Sequence, residues 1–180
     1  GFAMGRHVYY KGFDVLIDAL AHTDAYLVLG GDGPLRAQLE QQAAARGLSD
    51  RVFFSGRIPE EDLAAYFHAC DVFCLPSVEP SEAFGLVQLE AMACGKPVVC
   101  TQLNNGVNMV NVHGQTGFAV PVRDPVALGR CIARLLKDDV LRHQLGAQAL
   151  CRTEQYSVPA MTASHIKLYQ ELLSNRSLRI

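Results

Sequence analysis

An α/β architecture, a doubly wound parallel sheet followed by C-terminal helices, is predicted by three observations. Short apolar runs alternate with amphipathic stretches along most of the chain, glycine- or proline-bearing loops separate them, and past Asp124 only helical periodicity remains. Parallel neighbours need crossovers of a dozen or more residues, and the spacing of the runs leaves room for them.

The elements follow in order. Phe13, Leu16, Ile17 and Leu20 recur at helical spacing over 13–21, and YLVL at 26–29 is the first strand. Pro34, just after GGDG, opens a helix over 34–46, since proline is preorganised for the first helical position. VFF at 52–54 is the next strand. Pro59, then Glu60, Glu61 and Asp62, start a helix over 60–68, with acids where the helix dipole favours negative charge. Runs at 72–75 and 97–100 flank a helix over 86–94, which carries Leu86, Leu89, Met92 and Ala93 and is stopped by Gly95. After a strand at 118–120, Asp124-Pro125 pairs an N-cap with an N1 proline to start a helix over 125–136. Further helices are expected at 139–150 and 159–173, and the polar, basic NRSLRI terminus is expected to fray. At the other end, GRHVYYKG lies so near the first residue that the chain reads as a domain cut from a longer protein.

With 180 residues, 49% of them hydrophobic, the chain can bury a full core as one large domain or as half of a larger enzyme. Sixteen basic against 18 acidic residues leave a formal charge of −2, which offers no broad field for nucleic acid, so no nucleic-acid partner is expected. The six cysteines sit mostly inside apolar patterns without zinc-site spacing; their even number would also suit disulfides, but the chain is neither small nor loop-rich, so they are read as reduced core residues and a cytoplasmic location is expected. No apolar stretch approaches the roughly 18 residues of a transmembrane helix, and tryptophan is absent, so any membrane association is expected to be peripheral or to lie in a segment outside this chain.

Ligands of doubly wound sheets sit outside the carboxyl ends of the strands, so the loops there carry the chemistry. In SEAFGLVQLEAMACG, Glu82 precedes a helix whose amino end, with unpaired N–H groups and partial positive charge, favours an anionic ligand, and Glu90 lies within that helix. Glu82, at a loop tip, can accept hydrogen bonds from sugar hydroxyls. Glu90, flanked by Leu89, Ala91 and Met92, either faces solvent or meets a specific donor such as a ribose diol. In GRHVYYKG, Arg6 and Lys11 are cations near a helix start, where a diphosphate between them would relieve the unfavourable charge; the plainer alternative is two solvated surface cations. LGGDGPL resembles a nucleotide loop but lacks the third glycine of the dinucleotide fingerprint, because Arg36 stands there. In SGRIP, backbone groups can pair with a base edge, and Arg57 either covers the base, touches phosphate or is exposed. The histidines show no metal or triad spacing; His113, in VHGQTG, is a minor candidate for the site. No Asp-x-Asp triplet occurs, so the sequence does not indicate a divalent metal ion bridging phosphates.

GRHVYYKG, LGGDGPL, VFFSGRI, CLPS, SEAFGLVQLEAMACGKPVV and GQTGFAVPVRDP occur in the order found in the retaining GT-B glycosyltransferases of the glycosyl transferases group 1 (family 4), which this chain resembles. The resemblance implies a Rossmann-like fold, the C-terminal, donor-binding half of a GT-B enzyme, with the acceptor glycan or lipid-linked sugar bound largely by an absent N-terminal domain. It implies a UDP- or GDP-sugar as donor, no further cofactor, no metal, and transfer with retention of anomeric configuration. By matching position, Arg6 and Lys11 would hold the diphosphate, helped by amides near Phe84, Gly85 and Leu86. Glu82, the first acid of the E-x7-E motif, would position the sugar and Glu90, the second, the ribose. Gly56, Arg57 and Ile58 would meet the base, and Gly5, Gly31 and Gly33 are expected among the donor-binding residues, the Gly31–Gly33 turn also reading as open to close backbone approach. The chain departs from common family usage in TQLNNGVNMVNVHG, where many members carry a glycine pair and then a glutamate. A sugar-nucleotide epimerase, a phosphorylase or a noncatalytic nucleotide-binding scaffold are the competing readings.

Overall fold

The computed structural model describes residues 1–176. The strands are β1 (Phe2–Met4), β2 (Leu27–Gly30), β3 (Val52–Gly56), β4 (Phe73–Leu75), β5 (Val98–Thr101) and β6 (Gly117–Val120). The helices are α1 (Phe13–Ala19), α2 (Arg36–Ala45), α3 (Glu60–Ala69), α4 (Leu86–Ala93), α5 (Gly106–Val110), α6 (Pro125–Lys137), α7 (Asp139–Thr153) and α8 (Val158–Arg176). The sheet is parallel throughout in the order β3-β2-β1-β4-β5-β6, so the fold is a Rossmann-like α/β sheet with its topological switch between β1 and β4.

The strands read as unbroken apolar runs because both faces are covered. Successive residues alternate between two cores. Ala3, Leu27, Leu29, Cys74 and Val99 face a cluster with Leu16 of α1 and Leu20 just after it, Leu39 of α2, and Leu128 and Ile132 of α6. Phe2, Phe73, Leu75, Val98 and Cys100 face the other, with Phe67 of α3, Met92 of α4, Val107 and Val110 of α5, and Ala149 of α7. Burial pushes the Cys74 thiol up to about 12 and the Cys100 thiol to about 11, so these two are inert core groups. Cys151, by contrast, is exposed.

Among the described residues six strands form where the sequence predicts five. β1, the strand at the centre of the sheet, has only FAM to announce it, too short for any periodicity to register. A second departure is α5, where Asn105 is the cap, its side-chain oxygen accepting from the Val107 N–H, inside the asparagine-rich segment that departs from family usage. A third is α2, which opens at Arg36 rather than at Pro34. α8 rests on a short 3₁₀ turn (Glu154–Tyr156) and leaves Met161, Ile166 and Tyr169 exposed. The end of the basic NRSLRI terminus, residues 177–180, lies outside the described residues. Among the described residues no helix is long and apolar enough to cross a membrane.

Candidate functional site

Three loops at the carboxyl ends of β1, β2 and β3 are stitched together through backbone groups. The Gly5 N–H donates to the Gly30 carbonyl (3.1 Å), the His7 N–H to Asp32 (2.9 Å), the Leu35 N–H to His7 (3.1 Å) and the Gly31 N–H to Gly56 (2.7 Å). This proximity accounts for the glycines of LGGDGPL. A Cβ on Gly31 would lie 2.0 Å from the Gly5 carbonyl oxygen, and one on Gly33 would lie 2.6 Å from that of His7. The close approach read from the sequence for a ligand is made in the structure by a neighbouring loop. The three loops enclose a cleft of about 740 Å³ lined by Gly5, Arg6, Gly31, Gly33, Arg57 and Ile58, together with Met4 and Asp32. The Arg6 and Arg57 side chains are exposed along it.

A second cleft of about 420 Å³ adjoins the first at Met4 and Gly5, at the switch between β1 and β4. Lys11, Glu82, Phe84, Gly85 and Leu86 line it. Gly85 caps α4 in the left-handed conformation (φ 68°), and a Cβ there would meet the Leu75 side chain at 2.5 Å, so glycine is required where the chain turns into the helix. Opposite, the 3₁₀ turn Tyr9–Lys11 docks on the exit of β4: the Val78 N–H donates to the Tyr10 carbonyl at 2.8 Å.

That docking brings Lys11 and Glu82 together. The Lys11 ammonium lies 2.5 Å from the Glu82 carboxylate, with the two side chains 13% and 11% exposed, and the buried Ser77 hydroxyl donates to the same carboxylate oxygen at 3.0 Å. Glu82 is therefore buried and paired where the sequence reading places it at a loop tip. Its carbonyl accepts from the Asn105 side-chain amide at 2.8 Å.

Glu90 lines neither cleft and is exposed on α4. Partial desolvation pushes its carboxyl up, and the carboxylate of Glu60 adds to the shift. Glu60 opens the helix entered from the Arg57–Ile58 loop, so Glu90 shares the electrostatic surroundings of that loop without lining the cleft. His113 lies against the outer side of β6, its Nδ1 3.1 Å from both the Ala119 N–H and carbonyl, and lines neither cleft. Among the described residues no three His, Cys, Asp or Glu side chains gather as metal ligands.

Sequence reasoning singles out neither Ser77 nor Asn105 as a site residue. Ser77 closes the CLPS motif at the end of β4, a position that marks it in retrospect. Asn105 carries no signal beyond belonging to an atypical segment.

Residues 2–150 match the sequence profile of the glycosyl transferases group 1. The D-rhamnosyltransferase WbpZ of Pseudomonas aeruginosa is 39% identical over 147 residues, covering 82% of this chain and 38% of that protein. The O-antigen chain mannosyltransferase C of Escherichia coli is 30% identical over 175 residues, covering 97% of this chain and 47% of its own length. The chain thus spans less than half of each of these two relatives. Among solved structures, Anabaena Alr3699/HepE in complex with UDP superposes with a TM-score of 0.86 at 29% identity, covering 94% of this chain and 48% of that one. HepE is also known in complex with UDP-glucose. With its motifs, its sheet order and these relatives in agreement, the chain belongs to the glycosyl transferases group 1 family.

Proposed function

We propose that this chain is the donor-binding, C-terminal domain of a retaining, metal-independent glycosyltransferase, and that its two adjoining clefts take one nucleotide-diphosphate sugar. The observation that carries the reading is the convergence of Lys11, Glu82 and the amino end of α4 on one cleft, with Arg6 on the cleft beside it and Gly5 shared by both. Nucleoside and base occupy the larger cleft, against Gly31, Gly33 and the Gly56–Ile58 loop, and Glu90 reaches the ribose hydroxyls from its rim. The diphosphate lies at the junction, held by Arg6, Lys11 and the α4 amides. The sugar faces Glu82. HepE, bound to UDP and to UDP-glucose, supports a nucleotide-sugar donor for this fold. The rhamnosyl- and mannosyltransferase relatives support a hexose or deoxyhexose as the sugar. The acceptor, a glycan or lipid-linked sugar, binds largely to a further, N-terminal domain.

The chemistry follows from charge. When the bond between the anomeric carbon and the diphosphate breaks, the electron pair goes to the diphosphate, and the sugar becomes oxocarbenium-like until the acceptor hydroxyl attacks from the leaving-group face and gives its proton to the departing diphosphate oxygen. Preorganised cations and amides are most valuable where charge develops, and losing one such contact costs roughly 3 kcal/mol of barrier, about a hundredfold in rate. Before the donor arrives, Lys11 and Glu82 compensate each other; on binding, each exchanges its partner for the donor, Lys11 for phosphate and Glu82 for sugar hydroxyls.

Calorimetric titration with UDP, GDP and ADP, then with their sugars, tests the site and identifies the base. One nucleoside diphosphate is expected to bind tighter than millimolar, and Arg6→Ala to weaken it about tenfold or more without lowering the melting temperature. No binding of any of the three would remove the assignment.

A further inference from the structure

We propose that Asn105 is a positioning residue for the donor sugar, holding the Glu82 backbone in place from α5. The proposal rests on the reading that Glu82 faces that sugar. Residues 76–85, between β4 and α4, contain no helix or strand of their own, yet they carry both Glu82 and the Gly85 turn into α4. Their placement must come from outside. The Glu82 carboxylate is held by Lys11 and Ser77, groups that the donor itself is to displace or share, whereas its carbonyl is held by Asn105, which does not line either cleft. The second tie, unlike the first, does not depend on the donor; with the Glu82 N–H donating to the Glu79 carbonyl inside the segment at 3.1 Å, Asn105 is the side chain that fastens the Glu82 backbone to α5.

The chemistry of the amide explains why asparagine stands there. Its oxygen accepts from the Val107 N–H at 3.0 Å and caps α5, while its NH₂ group donates to the Glu82 carbonyl at 2.8 Å. A hydroxyl or a carboxylate at this position fills the first role and is too short, or lacks the donor, for the second. Two neighbours reinforce the same seam. A Cβ on Gly106 would lie 2.5 Å from the Ala83 carbonyl oxygen, and the Gln88 side-chain amide donates to the carbonyls of Phe84 (2.7 Å) and Val107 (3.2 Å). α5 is anchored in turn by Val107 and Val110 in the core, so the Glu82–Phe84 backbone is fixed to the body of the domain.

The two roles of Asn105 can be separated. Asn105→Ser keeps a cap of comparable strength and removes the donor to Glu82, while Asn105→Ala removes both. In the intact protein, Asn105→Ser is expected to melt within a few degrees of the wild type and to bind the cognate nucleoside diphosphate within about twofold of it. It is expected to lose about tenfold in affinity for the nucleotide sugar and about tenfold in kcat, with KM for the acceptor unchanged. Asn105→Ala adds a drop in melting temperature. Asn105→Thr, the other hydroxyl cap, is read in the same way should the serine variant fold poorly. Unchanged affinity for the nucleotide sugar and unchanged kcat, or equal losses for diphosphate and nucleotide sugar together with a lowered melting temperature, would overturn the proposal. A wild-type protein that binds no nucleotide would overturn the reading of the site itself, and this proposal with it.

Discussion

Lys11 and Glu82 show how one pair of side chains serves stability and chemistry together. From sequence alone, Lys11→Ala is expected to suppress turnover far more than folding. The structure changes that expectation, because Lys11 is the counter-charge of a carboxylate that is itself buried. Removing one member of a buried pair leaves the other desolvated and unpaired, at a cost of about 3 kcal/mol, whereas replacing both by groups of similar volume is often close to neutral. Lys11→Ala is therefore predicted to lose both stability and transfer, and its inactivity alone proves nothing about phosphate contact. The informative protein is the double variant Lys11→Met with Glu82→Gln, in which the substituted amide oxygen still accepts from the Ser77 hydroxyl. Urea denaturation is expected to return to within about 1 kcal/mol of the wild type while donor-dependent transfer stays at least a hundredfold down. Recovery of transfer along with stability would show that the pair is structural.

At the scale of elements, helices were the easier part to read, and the reason is length. α3, α6 and α7 each run ten residues or more, and the start signals read at Pro59 and Asp124 are the N-caps that the structure uses, while Asp138, which the reading does not single out, caps α7. β1 and α5 are three and five residues long, below the length at which either period registers, and their existence depends on partners far away in sequence. The loops were legible in a different way. Their motifs marked which segments converge, but the partner of each glycine was not written in any of them, since a close approach names one side only. Gly33 makes the point testable. A Cβ there would lie 2.6 Å from the carbonyl oxygen and 2.7 Å from the nitrogen of His7, both backbone atoms, so the β1 and β2 loops would have to part. Gly33→Ala is predicted to destabilise the fold by about 1–3 kcal/mol and to weaken nucleotide binding in the same protein, because the two loops form opposite walls of the larger cleft. A variant with a lowered melting temperature and full nucleotide affinity would show that the cleft does not need the seam.

For the whole molecule, the doubly wound parallel class follows from alternation of apolar runs, while the sheet order and its switch rest on β1, the strand that the sequence reading lacks, and the clefts follow from that order. What could not be read was which polar groups the fold would bury, since a lone histidine in a loop looks the same whether it ends in solvent or in the core. His7 is the sharpest case. It is completely buried, its ring meets Phe13 and Phe54 edge-on at 5.4 and 6.3 Å between centroids, and neither ring nitrogen meets a partner in full hydrogen-bond geometry, the Gly30 carbonyl acting on the ring only weakly. Burial holds its imidazole below the ordinary value of 6.5 and the Arg36 guanidinium lowers it further, while the Gly30 carbonyl and the carboxylates of Asp32 and Glu40 pull the other way. The unfolded chain therefore takes up a proton at this residue near 6.5, before the folded protein does. Stability from this group is whole above that value and falls as the pH drops toward the folded pKa, by at most about 1.4 kcal/mol per pH unit. Glu90, whose carboxyl is pushed up, contributes in the opposite sense, because protonation relieves it in the folded state as the solution becomes more acidic. His7→Leu removes the first slope and leaves the second. The variant is predicted to gain about 1 kcal/mol at neutral pH, through loss of two unsatisfied nitrogens, and to gain more at about pH 5.5. Urea midpoints at the two pH values check this: an equal difference between wild type and variant at both would mean that His7 titrates alike in the folded and unfolded chains, and that its burial carries no pH dependence.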